Sequence, residues 1–232
     1  FSARVTALAK TRVGRAVPGD DLDPASQKAV AGGDDEGFTL GLDVLGAVHP
    51  AISAVDFEGY YTGYDENGNA LETDWHGFTK GRRPLAHLGT ATNTPFAVVW
   101  DTTLLPAQQN VAVRAVVHFT AQTNVVFVTP PTRGFVIPAR PASRVALFSS
   151  RDLPAPFWSR ANQKRQCTID VPIEPSRIER AELHVNAWTG GSGGVKEYFK
   201  LNGRHFPVAE GSRHELIYSR LPVEPGLLKR GA

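Results

Sequence analysis

One cysteine, Cys167, stands in the 232 residues, so no disulfide can form within the chain, and cysteine usage does not decide whether it is exported. The expected state of that thiol is buried and inert. Long apolar runs are missing too: no window reaches the roughly 18 consecutive apolar residues that span a bilayer. The opening FSARVTALAK lacks a long apolar run ending in a cleavage site. A soluble chain without a membrane span is therefore expected. Charge of one sign is not in excess, with 25 Lys and Arg against 23 Asp and Glu. That balance argues against the clustered basic face of a nucleic-acid groove. No G-x-S-x-G elbow is present, and none of the seven histidines falls in an H-x-H, H-x-x-H or HExxH pair. The run 190-GGSGG-194 has no phosphate-loop lysine and reads as a hairpin tip. Carboxylate pairs such as Asp170 with Glu197 can be nominated for glycoside hydrolysis, but only their separation would give them meaning. The sequence therefore gives catalysis no support.

Turn residues are abundant instead, with 22 Gly and 17 Pro, and the apolar segments are short and often β-branched. That pattern predicts strands at 52–61, 96–102, 111–121, 124–130, 144–150, 167–173 and 181–188, mostly alternating at period two. Short helical turns are expected only near 24–31 and 225–230, where a proline can open the turn. Two prolines, Pro130 and Pro131, cannot donate to a ladder and suggest a junction within 130–141. The expectation is an all-β chain of two β-sandwich domains. Residues 1–37 supply an edge strand and an acidic, Gly-rich loop, 38–132 the first sandwich, and 133–232 the second.

The run 87-HLGTATNTPFAVVWDTTLLPAQQNVAVRAVVHFTAQT-123, with 55-VDFEGYY-61, resembles the bacterial Ig-like domain of secreted glycan-active proteins over about 52–123. Gly89, Thr90, Pro95, Phe96, Trp100, Asp101 and Thr102 carry the likeness. Phe96, Val98 and Trp100 share a strand face suited to an intersheet core, and Asp101 and Thr102 suit a turn cap. The segments 181–188, 198–208 and 216–232 are similar, more weakly, to a jelly-roll or galactose-binding-like sandwich. Asn202-Gly203 there suits a tight hairpin. Such domains continue past the last glycine with an Asn and another strand, so a sandwich lacking its closing strand is expected, with an open edge that a partner chain could fill.

Within 63-GYDENGNALETDWHG-77, oxygen-bearing Asp65, Asn67 and Asn69, the Leu71 carbonyl and Asp74 are spaced to wrap a hard cation such as calcium. Ala70 stands where an EF-hand has glycine, and no Glu closes the loop. A plain polar turn is the alternative. Tyr60, Tyr61, Tyr64, Trp75 and Phe78 crowd this loop, while Trp188, Tyr198 and Trp158 are the candidate ligand-binding aromatics of the second domain. The resemblance implies a secreted or cell-surface, non-catalytic module that binds or displays carbohydrate, stabilised by calcium. Two alternatives stand beside it. One is a structural subunit that self-associates through an open sheet edge. The other is a polysaccharide lyase or glycosidase on the jelly roll, which a concave face holding a close Tyr, His and Arg, or two facing carboxylates, would favour and flat, scattered polar residues would exclude.

Overall fold

Alternation at period two, with one face apolar, is realised as antiparallel sheets. The structure is a computed structural model that describes residues 2–12, 36–45, 51–69, 71–79, 81–85, 88–150, 152–153, 165–188, 199–206 and 216–230. The fold is all-β, and the chain divides into two units, Phe1–Val145 and Ala146–Ala232. Among the described residues no helix is long and apolar enough to cross a membrane.

In the first unit, β1 (Ser2–Arg12), β2 (Glu36–Leu45) and β6 (Ala97–Asp101) form one sheet in the order β1-β2-β6. The second sheet runs β4 (Thr73–His76), β3 (Ile52–Thr62), β7 (Gln108–Phe119) and β8 (Val126–Val128). Two short strands join it: β5 (Thr90–Ala91) pairs with β3, and β9 (Thr132–Ile137) pairs with β7. The register aligns Val55 with Val117, Phe57 with Ala115 and Gly59 with Val113, which sends these residues inward. Asp56, Glu58 and Tyr60 alternate to the opposite face, beside Arg114 and His118 of β7.

The inward residues meet Val5, Phe38, Leu40 and Trp100 of the other sheet in one core. Phe38 lies 5.8 Å from both Trp100 and Phe135, and Tyr61 lies 5.2 Å from Trp100, so four strands share one aromatic cluster. Trp100 is fully buried, as its strand position predicts, and Asp101 Oδ1 accepts the Thr103 N–H at 2.8 Å in the turn that follows.

The division of the chain falls at 145/146 and not within 130–141. The prolines end β8, but the chain then returns to the same sheet as β9. Phe135 and Ile137 enter the core, and Arg140 donates to the Thr102 carbonyl at 2.7 Å.

The second unit contains β10 (Ala181–Trp188) paired with β13 (Leu216–Val223), and β11 (Phe199–Leu201) paired with β12 (Arg204–Phe206). Asn202 (φ 47°) and Gly203 (φ 91°) form the tight turn of the second pair, as their identities predict. The strands expected at 144–150 and 167–173 do not form. Pro172 removes a ladder donor, and the Thr168 N–H goes instead to Asp152 Oδ1 at 2.7 Å. Cys167 is correspondingly exposed, not buried. The expected turn near 225–230 is a short 3-10 turn, Pro225–Leu227, while that at 24–31 lies outside the described residues.

Candidate functional site

The segment 63–77 comprises the connection from β3 to β4 and β4 itself, and its two sides do different work. On its inner side Glu66 and His76 are fully buried. His76 Nε2 lies 2.9 Å from the Tyr61 carbonyl, which can only accept, so Nε2 carries a proton. Nδ1 lies 2.7 Å from Glu66 Oε2, and one proton is held between those two atoms. Glu66 Oε1 accepts the Gly77 N–H at 3.0 Å, and the imidazole stacks on Tyr61 at 4.2 Å. A buried carboxylate and imidazole thus satisfy each other and fix both ends of the hairpin loop to the core.

The outer side holds the oxygen-bearing residues that the sequence singles out. Asp65 Oδ1 and Asn67 Oδ1 both accept the Asn69 N–H, at 3.0 and 3.2 Å, and Asn69 Oδ1 accepts the Leu71 N–H at 2.9 Å. These are the side-chain to backbone bonds of a polar turn. The amides of Asn67 and Asn69 both donate to Asp74 Oδ2, and Asn67 also donates to the Trp75 carbonyl at 3.0 Å. Burial pushes the Asp74 carboxyl up, but the Trp75 backbone and the two amides outweigh it and hold the group below its ordinary value. Four of the five expected cation ligands therefore converge as one hydrogen-bonded cluster. Leu71 contributes its N–H to that cluster, and its side chain is exposed. Among the described residues no three His, Cys, Asp or Glu side chains are grouped to hold a metal.

Beside this cluster lies a groove of about 230 Å³, lined by Asn67, Asn69, Asp74, Trp75, Phe78, Thr79, Arg82 and Arg114. Register explains the assembly. Tyr60 of β3 sits opposite Trp75 of β4, Glu58 sits opposite Arg114 of β7, and all four project from the outer face of the sheet. Arg114 binds Glu58 Oε2 at 2.6–2.7 Å and lies over the Trp75 ring at 3.9 Å. The turn after β4 supplies Phe78, Thr79 and Arg82 to the lining. Thr79 N–H donates to the Arg83 carbonyl and Arg82 N–H to the Thr79 carbonyl, both at 2.8 Å, and Arg82 lies over Phe78 at 4.6 Å. The groove thus brings together aromatic surface, a carboxylate with its amides and a pair of guanidinium groups.

Of the aromatics expected to bind ligand, Tyr198 and Trp158 lie outside the described residues, as does Glu197. Trp188 ends β10 opposite Leu216. A different polar group occupies the face shared by β10 and β13. Tyr218 Oη bonds His184 Nδ1, and His184 Nε2 lies 3.4 Å from Glu182 Oε2. The same Glu182 oxygen takes Arg220 at 3.0 Å, and Oε1 takes Arg180 at 2.7 Å. Burial raises the Glu182 carboxyl, but His184, Arg180 and Arg220 together bring it down to about 2.

No protein-family model, curated protein or solved structure matches the chain.

Sequence reading did not find Arg82, Arg114 or the Glu66–His76 pair. Arg114 and Trp75 are far apart in the chain and meet only through strand register. Glu66 is hidden among exposed-looking loop residues. The spacing of Asn67, Asn69 and Asp74 points to a cation loop, and the same three residues line the groove.

Proposed function

We propose that the chain is a non-catalytic, extracellular module that binds carbohydrate in the groove beside Trp75. One observation carries the reading: Trp75 and Phe78 lie in the same groove as the Asp74 carboxylate and the Asn69 amide. Sugars offer apolar C–H surface and hydroxyl groups together, and such a groove meets both. The resemblance of 52–123 to Ig-like domains of secreted glycan-active proteins supports the same reading and is the basis for the extracellular setting. Titration of a panel of soluble oligosaccharides against the chain and its Trp75→Ala variant tests it. Saturable binding that weakens at least tenfold in the variant is expected, the loss of one well-packed aromatic contact.

Calcium is the ion proposed for the loop. Binding it requires Asn67 and Asn69 to turn their amide oxygens toward Asp74, at the loss of the Asn67 bond to the Trp75 carbonyl. Affinity in the weak range of oxygen-ligand sites is expected.

A second reading is favoured by the contact of Tyr218 with His184 and the arginines beside it. In it the second unit cleaves a uronate glycan by elimination. His184 accepts the phenol proton, and the Tyr218 phenolate removes the proton on C5 of the uronate. The C4–O bond then breaks as the C4=C5 double bond forms, and the departing alkoxide takes that proton from Tyr218. Ultraviolet absorbance of the unsaturated product tests this reading, and no absorbance rise over a panel of uronate polymers sinks it.

A further inference from the structure

We propose that the groove selects acidic glycans, and that Arg82 is the selecting residue, pairing with a carboxylate or sulfate on the sugar. This rests on the carbohydrate reading of the same groove and adds the charge of its ligand. Three charged side chains line the groove, Asp74, Arg82 and Arg114. Two of them are already committed. Arg114 is held by Glu58 through both its Nε and a terminal nitrogen, and Asp74 is occupied by the amides of Asn67 and Asn69. Arg82 is different, because among the described residues no carboxylate lies within ion-pairing distance of it.

Arg82 is nevertheless held in place. Its backbone has φ 59°, a left-handed conformation that costs a side-chain-bearing residue energy and suits glycine or asparagine better. The turn is closed around it by the Arg82 N–H bond to the Thr79 carbonyl at 2.8 Å and the Arg83 N–H bond to Thr79 Oγ1 at 3.2 Å. Its guanidinium then rests over the Phe78 ring at 4.6 Å. A guanidinium lying over a ring keeps its N–H edge for an acceptor, and that edge matches a planar carboxylate or a sulfate in two parallel bonds. Asp74, the carboxylate in the same lining, repels an anion, so the charged substituent is drawn to Arg82 and away from Asp74.

The test measures affinity for three oligosaccharides of matched length, one neutral, one containing uronate and one sulfated, at low and high salt. At least one acidic ligand is expected to bind about tenfold or more tightly than the neutral one, with affinity falling as salt rises. Arg82→Gln is expected to lower acidic-ligand affinity more than neutral-sugar affinity, so that the ratio between them falls to about one and its salt dependence disappears. Arg83→Gln, the neighbouring exposed arginine, is expected to leave it intact. Which acidic ligand responds distinguishes carboxylate from sulfate. Equal affinity for neutral and acidic sugars, an unchanged preference in Arg82→Gln, or an equal loss in Arg83→Gln each overturns the inference and leaves the carbohydrate reading standing. Absence of binding to all three by the folded chain overturns both.

Discussion

Removing the Glu66 carboxylate should loosen the hairpin that carries the groove. Glu66 and His76 are both fully buried, so Glu66→Ala leaves the His76 Nδ1 and the Gly77 N–H without their partner where water does not reach. A buried unsatisfied polar group costs about 1–3 kcal/mol, and breaking a buried pair about 3–5 kcal/mol. A loss of about 3–5 kcal/mol is expected. Glu66→Gln tests the logic of the proton. The glutamine amide can donate to a neutral imidazole while its oxygen still accepts from Gly77, so both contacts survive and the loss should stay near 1 kcal/mol. Chemical denaturation gives the overall effect, and hydrogen exchange at the Gly77 amide gives the local one, with protection kept in Glu66→Gln and lost in Glu66→Ala. Equal damage from the two substitutions would mean that the charge, not the hydrogen-bond pattern, holds the loop. A loss below about 1 kcal/mol in Glu66→Ala would refute the pinning argument itself.

Other outcomes follow from the same geometry. Gly77 has φ 111°, and a Cβ there would stand 2.8 Å from the Phe57 carbonyl, so Gly77→Ala should cost more than about 2 kcal/mol in a denaturant melt. Glu182 titrates at about 2 in the fold against an ordinary 4.5, so its stabilisation is complete above about pH 4.5 and is lost as the pH falls toward 2. Allowing for the solvent-exposed arginines that hold it, roughly 1–2 kcal/mol of acid sensitivity should disappear in Glu182→Gln, read from melts between neutral pH and pH 3. Millimolar calcium should raise the melting temperature, and Asp65→Ala should remove the rise, whereas identical melts in calcium and chelator would leave the loop as a hydrogen-bonded clamp. In the same melts a midpoint independent of protein concentration is expected of a binding module, and one that climbs with concentration would favour the self-assembling subunit.

Much of the first unit was legible because its strands obey one rule. In 111-VAVRAVVHF-119 the odd-numbered residues face the core and Arg114 and His118 face outward, as period two requires. Trp100 was readable for the same reason, and the Asp101 turn because a short carboxylate side chain accepts a nearby backbone N–H. Alternation failed at 144–150 and 167–173, because it states which face a strand would bury and not whether a partner strand exists. Prolines misplaced the boundary in a related way, since Pro130 and Pro131 do end a strand, but nothing local shows that Phe135 and Ile137 return to the same core. In the loop, Asn67, Asn69 and Asp74 were found from spacing, yet spacing could not tell an amide turned toward an ion from one donating to Asp74. Arg114 on Trp75 and Tyr218 on His184 depend on register between strands distant in sequence, which a single sequence does not encode locally.

The most direct measurement is a tryptophan-fluorescence titration of the chain with neutral and acidic oligosaccharides, repeated on Trp75→Ala and Asn69→Ala after melts confirm that both variants fold. Saturable binding, at least tenfold weaker in Trp75→Ala and weaker in Asn69→Ala, is the predicted result. Binding of undiminished affinity in both variants would place the ligand elsewhere on the chain, and no binding of any sugar by the folded protein would contradict the carbohydrate reading outright.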